Sequence, residues 1–414
     1  MLLPSRSEAL TRVVREELDG HGVLPFARFM QLALYCPELG YYDLFANTLG
    51  RAGDFYTNVS VGPLFGELLA FQFALWLEAL PKEPWHVVEA GAHDGTLARD
   101  ILHALQTYHP ATLPRLEYWI TEPSPRRQAC QRERLQEFAG RVRWLDSWQA
   151  VPGGGVRGII FSNELLDAMP VHRLGWDARR KEWFEWGVGL DGDRFVWRRP
   201  ESNTPPPGSE GTSVGSGEPP RATNGQRSTP NAQGSTSPDL DAEGWMLDVR
   251  DSWRDLVPEV PPELAEVLPD GFTTEVCPGA VQWWREAASR LGRGWLLTFD
   301  YGLAAEEFLV PNRATGTLRG YHRHRLTSDV LAHPGEQDLT AHVNFTAVTR
   351  AGEAAGLKTE RLCSQTEFLT AIANATWLAH RSFGEWTPER VRQFQMLTHP
   401  EHLGRAFRVL VQCR

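Results

Sequence analysis

Along residues 7–18, 25–36 and 63–80, apolar side chains return every three to four positions, and the third of these segments is the most apolar. That period predicts three helices, each burying a face. A loop rich in Gly, Tyr and Asp, 40–60, separates the second helix from the third, and the prolines of 81–84 end this helical start. From Trp85 the period changes. Apolar runs at 86–90, 116–121, 142–145 and 158–162 alternate with amphipathic segments opening at Thr96 and Ser124. Strands alternating with helices predict a parallel sheet with right-handed crossovers.

Beyond Pro170 the runs 171–176, 182–188 and 194–199, separated by Asp/Gly turns, predict antiparallel hairpins. Residues 200–241 are dense in Pro, Gly, Ser, Thr and Asn and nearly lack large apolar side chains, a composition that predicts a disordered insertion. Order resumes near Trp245, with a helix over 278–291, a strand over 294–299, a helix over 346–355, a strand over 358–363 and a final strand over 407–413. The expected division is a helical region 1–80, a first core part 81–170, an inserted hairpin region 171–277 and the rest of the core 278–414.

Charge and cysteine content narrow the function classes. A formal charge of −10 argues against a nucleic-acid binder, which would carry a basic excess. Five scattered cysteines without C-x-x-C spacing suggest neither a disulfide framework nor a zinc site and fit a reducing compartment. No apolar run approaches the roughly 20 residues that cross a bilayer, so membrane insertion is not expected. The first residues lack a continuous apolar stretch, and Glu8, Glu16 and Glu17 are foreign to a transit peptide, so a cytoplasmic protein is expected.

The chemistry concentrates at strand ends. Val87-Val88-Glu89-Ala90-Gly91-Ala92-His93-Asp94-Gly95-Thr96-Leu97 is a strand, a glycine turn and a helix start, and the next strand ends in Glu122. Glycines admit a close ligand, a helix start offers unpaired N–H groups, and a carboxylate accepts from ribose hydroxyls. An ordinary strand-to-helix turn explains the same residues. Asp146 and Ser147 end the third strand, where a carboxylate can accept from a purine amine or simply cap the next turn. Asn163, Glu164 and Asp167 follow the fourth strand. If that strand runs into a helical turn, Glu164 and Asp167 share a face and suit a cation, above all a guanidinium; the alternative is a helix start complementing its dipole. Gly53-Asp54-Phe55-Tyr56-Thr57 has the make-up of a lid. No metal site is expected: the segment 338–345, with Asp338 and His342, alternates like a half-buried strand.

Taken together, these segments resemble the MidA-type methyltransferases, the family that includes a mitochondrial complex I assembly factor methylating an arginine. The resemblance rests on Gly53-Asp54-Phe55 with Phe65-Gly66-Glu67-Leu68-Leu69, on Val88-Glu89-Ala90-Gly91 with Gly95-Thr96-Leu97, and on Asn163-Glu164-Leu165-Leu166-Asp167-Ala168-Met169-Pro170-Val171-His172. Asp300-Tyr301-Gly302, Thr317-Leu318-Arg319-Gly320-Tyr321 and Asp338-Leu339-Thr340-Ala341-His342-Val343 follow in order. It implies an α/β, Rossmann-like, seven-stranded class I methyltransferase sheet with an N-terminal helical region and an inserted substrate-facing region. The implied cofactor is S-adenosyl-L-methionine, with Asp54, Glu89, Gly91, Gly95, Glu122, Asp146, Ser147 and Asn163 around it and Glu164 and Asp167 facing the acceptor. The implied acceptor is a protein arginine, with a respiratory complex I subunit as a candidate partner and a homodimer as one option for assembly.

Two positions depart from the family pattern. His93 stands where its loop carries glycine, which puts cofactor affinity in question, and Asn344 stands where an acidic residue is common. A methyltransferase for another amine or a small molecule, and a scaffold with a degenerate pocket, therefore stay open beside the arginine reading.

Overall fold

The computed structural model describes residues 5–43, 57–81, 84–199, 253–322, 325–327, 329–379, 382–400 and 403–414. The predicted disordered insertion and the predicted lid residues 53–56 lie outside them. The main sheet is built from β1 (Trp85–Ala90), β2 (Leu116–Thr121), β3 (Val142–Leu145), β4 (Val156–Asn163), β5 (Leu291–Leu303), β6 (Lys358–Ser364) and β7 (Phe407–Cys413). Their order across the sheet is β6-β7-β5-β4-β1-β2-β3, and a two-residue strand, Val343–Asn344, pairs with the end of β5. Strands β1 to β5 run parallel, while β7 is antiparallel to β5 and β6. This is a Rossmann-like class I methyltransferase sheet.

Helices cover both faces, as a parallel sheet requires. α3 (Leu64–Glu78), α4 (Thr96–Tyr108) and α8 (Gln365–Leu378) pack on one face with Val87, Ile120, Phe161 and Phe299. α6 (Pro278–Arg290) and α7 (Phe345–Ala354) pack on the other with Val88, Trp119, Ile160 and Leu296. Neighbours such as Val87 and Val88 thus go to opposite cores, the period-two signature of a strand buried on both sides. α3 is apolar nearly all round because sheet, α4 and α8 enclose it.

The N-terminal helices are α1 (Arg6–His21), opened by a Ser5/Glu8 capping box, and α2 (Phe26–Tyr35). α2 starts later than the periodicity predicts because Leu24–Pro25 pairs as a short strand with Gly187–Asp191. The predicted strand 182–188 is in fact two. Glu182–Glu185 pairs with His172–Asp177, whereas Gly187–Asp191 leaves for a different sheet with Leu24–Pro25 and Arg194–Arg198. A Cβ on Gly187 would lie 2.2 Å from Val23 Cγ1, so a larger residue at this crossing would have to displace the Val23 side chain. A third small sheet joins Arg325–Thr327, Arg319–His322 and Asp338–Thr340. Finally, β5 outruns its predicted strand at both ends: β4 pairs with it from Leu291, and beyond Phe299 it pairs with β7 through Tyr301 and with Val343–Asn344 at Gly302 and Leu303.

Register decides where the strand ends fall. Ala90 pairs with Thr121 and with Ser162, and Asn163 pairs with Phe299. The residues that follow these positions therefore emerge side by side at the carboxyl edge, where the chain order reverses between β1 and β4. That is where open α/β sheets bind ligands. One tight spot sets the strand spacing: at Gly158 (φ 146°) a Cβ would lie 2.1 Å from the His86 carbonyl oxygen. Gly158→Ala is expected to lower unfolding stability by about 1–3 kcal/mol. Gly153→Ala, where a Cβ meets nothing within 4 Å, is expected to change it by less than about 0.5 kcal/mol. Chemical denaturation of both variants checks this.

Candidate active site

Three left-handed residues follow β1: Gly91 (φ 72°), His93 (φ 46°) and Gly95 (φ 84°). They turn the chain into α4, whose N-cap is Gly95. Gly91 has a second reason to lack a side chain, since a Cβ there would sit 2.9 Å from Leu165 Cδ1. His93 adopts the backbone shape that glycine would take, at a cost of about 1–2 kcal/mol. Its ring sits beside Asp94, with Nδ1 3.9 Å from Oδ1. Burial pushes the Asp94 carboxyl up, but hydrogen bonds and charge from His93 and Thr96 outweigh it and hold Asp94 well below the usual carboxylate range.

The two carboxylates before and after this loop are both buried. Glu89 Oε2 accepts from the Tyr118 hydroxyl at 2.6 Å, and burial pushes its pKa up to about 8. Glu122 accepts from the Ser124 N–H at 3.0 Å and from Gln131 Nε2 at 3.2 Å. Burial raises it, against the pull of Arg127. Gln131, on α5 (Pro125–Arg134), also donates to the His93 carbonyl at 2.9 Å, so α5 ties the two loops together.

After β4 the chain does not enter a helix, contrary to the expected helical turn. Glu164 is left-handed (φ 54°), and an irregular turn follows. Asp300, fully buried on β5, holds that turn. Its Oδ2 accepts from the N–H groups of Leu166 (2.8 Å) and Leu165 (3.2 Å), and its Oδ1 accepts from the Tyr301 N–H at 2.9 Å. Glu164 and Asp167 reach one cavity by this device, not by helical spacing. Burial, and then the charges of Glu164 and Asp338, push Asp167 up to about 8. Burial also carries Glu164 up to about 8, against hydrogen bonds from Asn58 and Asn163. Asp300 lies well above the carboxylate range through burial and the neighbouring Asp167.

The N-terminal region closes this end with aromatic rings. Tyr35 and Tyr42 stack at 5.5 Å; the Tyr35 hydroxyl donates to the Ala168 carbonyl at 2.9 Å and the Tyr42 hydroxyl to Asp338 Oδ1 at 2.8 Å. Arg127 Nε donates to the Tyr42 carbonyl at 3.0 Å, and Arg126 pairs with Asp43 at 3.1 Å. These contacts seat the end of the first described segment on α5, beside Glu122.

One cavity of about 490 Å³ joins these groups. Of the residues singled out in the sequence, Glu89, Gly91, Glu122, Asn163, Glu164 and Asp167 line it, with His93 in the wall. Three others do not. Gly95 faces Leu135 and Gln131; Asp146 is exposed, with Oδ1 accepting from Gln128 Nε2 at 2.8 Å; Ser147 precedes the 3-10 turn Trp148–Ala150. Asp54 lies outside the described residues. Sequence reasoning missed Tyr35, Tyr42, Asn58 and the acidic roles of Asp300 and Asp338. The last two lie in motif segments, whereas the tyrosines and Asn58 carry no signal in the sequence.

The groups present fit a sulfonium-bearing nucleoside. A glycine cradle that a Cβ would fill and two buried carboxylates stand at the ends of β1 and β2, where amino-acid and ribose groups could be held. Residues 68–363 match the family described as "Putative S-adenosyl-L-methionine-dependent methyltransferase". The chain is 26% identical to the protein arginine methyltransferase NDUFAF7 homolog, mitochondrial, of Drosophila melanogaster, over 97% of this chain and 84% of that protein. It is 24% identical to the human protein arginine methyltransferase NDUFAF7, mitochondrial, over 83% and 69% respectively. A Burkholderia thailandensis protein solved with S-adenosyl-homocysteine bound shares 30% identity at a TM-score of 0.74, covering 100% of this chain and 95% of that one.

These animal relatives are mitochondrial by name, which overturns the expected cytoplasmic location. Scattered cysteines fit a reducing environment, and that property does not distinguish one reducing compartment from another. Among the described residues no helix is long and apolar enough to cross a membrane. With its sheet order, its glycine loop and a family match over most of its length, the chain belongs to the MidA-type S-adenosyl-L-methionine-dependent methyltransferases.

Proposed function

We propose that this methyltransferase modifies an arginine guanidinium of a protein substrate, with Glu164 and Asp167 facing the acceptor and Glu89, Gly91, Glu122 and Asn163 serving the cofactor. The observation that carries this reading is the cluster of half-buried Glu164 with buried Asp167 and Asp338 at the end of the cavity walled by Tyr35, Tyr42 and Tyr301, with Asp300 fully buried against Asp167. Carboxylates around a planar, delocalised cation, with aromatic faces beside it, match arginine better than a compact ammonium. The names of the relatives agree with a protein arginine as acceptor. A respiratory complex I subunit as the target, and a homodimer as the working form, rest on family resemblance alone. In this reading 81–170 and 278–414 form the transfer core, and 1–80 and 171–277 flank the acceptor.

When bound, S-adenosyl-L-methionine supplies an electrophilic methyl group. The protein's part is to align and to manage a proton. Glu164 would orient the guanidinium through a carboxylate oxygen. Asp167, once the bound cation has drawn off its own proton, would take the proton that the attacking nitrogen loses. Tyr35 and Tyr42 would exclude water from the acceptor end. His93 lines the wall without closing the cavity, which favours an active enzyme over a scaffold with a degenerate pocket.

Calorimetric titration tests the cofactor half: micromolar or tighter binding of S-adenosyl-L-methionine is expected, and it should be lost in Glu122→Ala. No binding at millimolar ligand would leave the scaffold reading in front. For the acceptor half, Glu164→Gln should bind cofactor within about twofold of wild type yet transfer methyl groups to arginine peptides at least about 100-fold more slowly. Full activity in that variant would remove Glu164 from the acceptor site.

Carboxyls raised to about 8 hold protons at pH 7, and a bound cation favours their release. Methylguanidinium binding should therefore release protons, seen as binding enthalpies that vary with buffer ionisation enthalpy at pH 7. No variation would detach the cluster from acceptor binding. In the unliganded protein the folded state binds protons that the unfolded state has lost, so stability falls as pH rises from the ordinary carboxylate range through about 8. Tm measured from pH 5 to pH 9 should decline over that window, and Glu164→Gln should flatten the decline.

A further inference from the structure

Asn58 lies just ahead of α3, fully buried, and no sequence motif contains it. Its main-chain N–H donates to Glu164 Oε1 at 2.9 Å, and its Nδ2 donates to Asn163 Oδ1 at 2.9 Å. Asn163 Nδ2 in turn donates to the same Glu164 Oε1 at 2.9 Å. Behind Asn58, on the first turn of α8, the equally buried Gln365 donates through Nε2 to Asn58 Oδ1 at 2.8 Å and to the Leu397 carbonyl, on α9 (Pro388–Thr398), at 3.0 Å.

The direction of these bonds is fixed from the far end. A carbonyl can only accept, so the Leu397 oxygen selects the NH₂ face of Gln365. Gln365 then dictates which way Asn58 points, and Asn58 dictates Asn163. Each amide is aligned so that the last two donors meet on one carboxylate oxygen, and bonds in such a chain polarise one another. The other Glu164 oxygen remains available to the cavity that Glu164 lines.

We propose that Asn58 is a positioning residue for methyl transfer, which together with Gln365 forms a buried amide relay that clamps one oxygen of Glu164 and presents the other to the acceptor. This rests on the arginine-methyltransferase reading above. The groups facing Glu164 are Asp167 on its own turn, Asp300 and Tyr301 on β5, and Asp338 from the hairpin that begins at Arg319. Asp167, Asp300 and Asp338 carry negative charge when ionised, and the relay supplies the donors that favour the anion of Glu164 against them. Removing donors from an anion raises its affinity for a proton.

Asn58→Ala keeps the main-chain donor but frees the Asn163 amide that the Asn58 side chain holds on Glu164. It is therefore expected to move the acid limb of the kcat/KM profile upward by about one pH unit, with roughly tenfold less activity at pH 7 that recovers toward about pH 9 and above. The Kd for S-adenosyl-L-methionine should stay within about twofold of wild type. Gln365→Met, whose side chain does not line the cavity, should act in the same direction but less strongly, and it carries the test if Asn58→Ala fails to fold. A loss equal at every pH, or an unchanged profile, overturns the proposal. Carboxyl ¹³C titration of Glu164 in the unliganded protein, assigned against Glu164→Gln, separates this inference from the activity reading. A midpoint raised in Asn58→Ala supports the relay even if the wild type methylates no arginine peptide, a result that would sink the activity reading alone. An unmoved midpoint overturns the relay.

Discussion

The carboxyl group of Asp300 holds the site together. It has no solvent, it sits near the end of a strand buried on both faces, and it accepts from three backbone N–H groups. An unmet buried N–H costs about 1–3 kcal/mol, so this acceptor strongly favours the turn it binds. Leu165 and Leu166 are pinned by it, and the chain can afford the left-handed Glu164 because the residues on both sides are tied down. The same turn drives Leu165 against Gly91, whose left-handed φ of 72° favours glycine, so the geometry of the cofactor loop is set partly from β5.

Several carboxyls crowded into a dry space is a costly arrangement, and the structure offsets it in two ways. Donors are supplied where an anion is wanted: Tyr118 at Glu89, Ser124 and Gln131 at Glu122, Asn58 and Asn163 at Glu164. Protons are retained as well: despite their donors, Glu89, Glu164, Asp167 and Asp300 all lie above the usual carboxylate range, because burial outweighs the hydrogen bonds. A site of this kind is poised for a cation, because an arriving positive charge relieves like-charge repulsion that burial otherwise magnifies. Function here draws on local destabilisation, as strained and desolvated sites commonly do.

Strand and helix positions were largely legible because a doubly covered parallel sheet writes itself as continuous apolar runs, and β2 and β3 fall where periodicity puts them. The errors have physical causes. The run 182–188 reads as one strand because each half alternates correctly, yet Gly187 hands the chain to another sheet through a contact with Val23, a residue remote in sequence. The spacing of Glu164 and Asp167 suggested a helical turn because periodicity is blind to an acceptor supplied from β5. Asp146 looked equivalent to Glu89 and Glu122, since each ends a strand, but its carboxylate accepts from Gln128 and faces outward.

What the sequence determined by itself was the order of elements, the strand-end carboxylates and the glycine loop, because these depend on neighbours a few residues apart. Ordered motifs added the family, since several of them in sequence exceed what local chance supplies. Only the tertiary structure decided which acidic ends share a cavity, that Tyr42 and Asp338 meet, and that a buried amide on α8 acts on Glu164 through Asn58. Those contacts join residues far apart in the chain, and neither periodicity nor local propensity carries any trace of them.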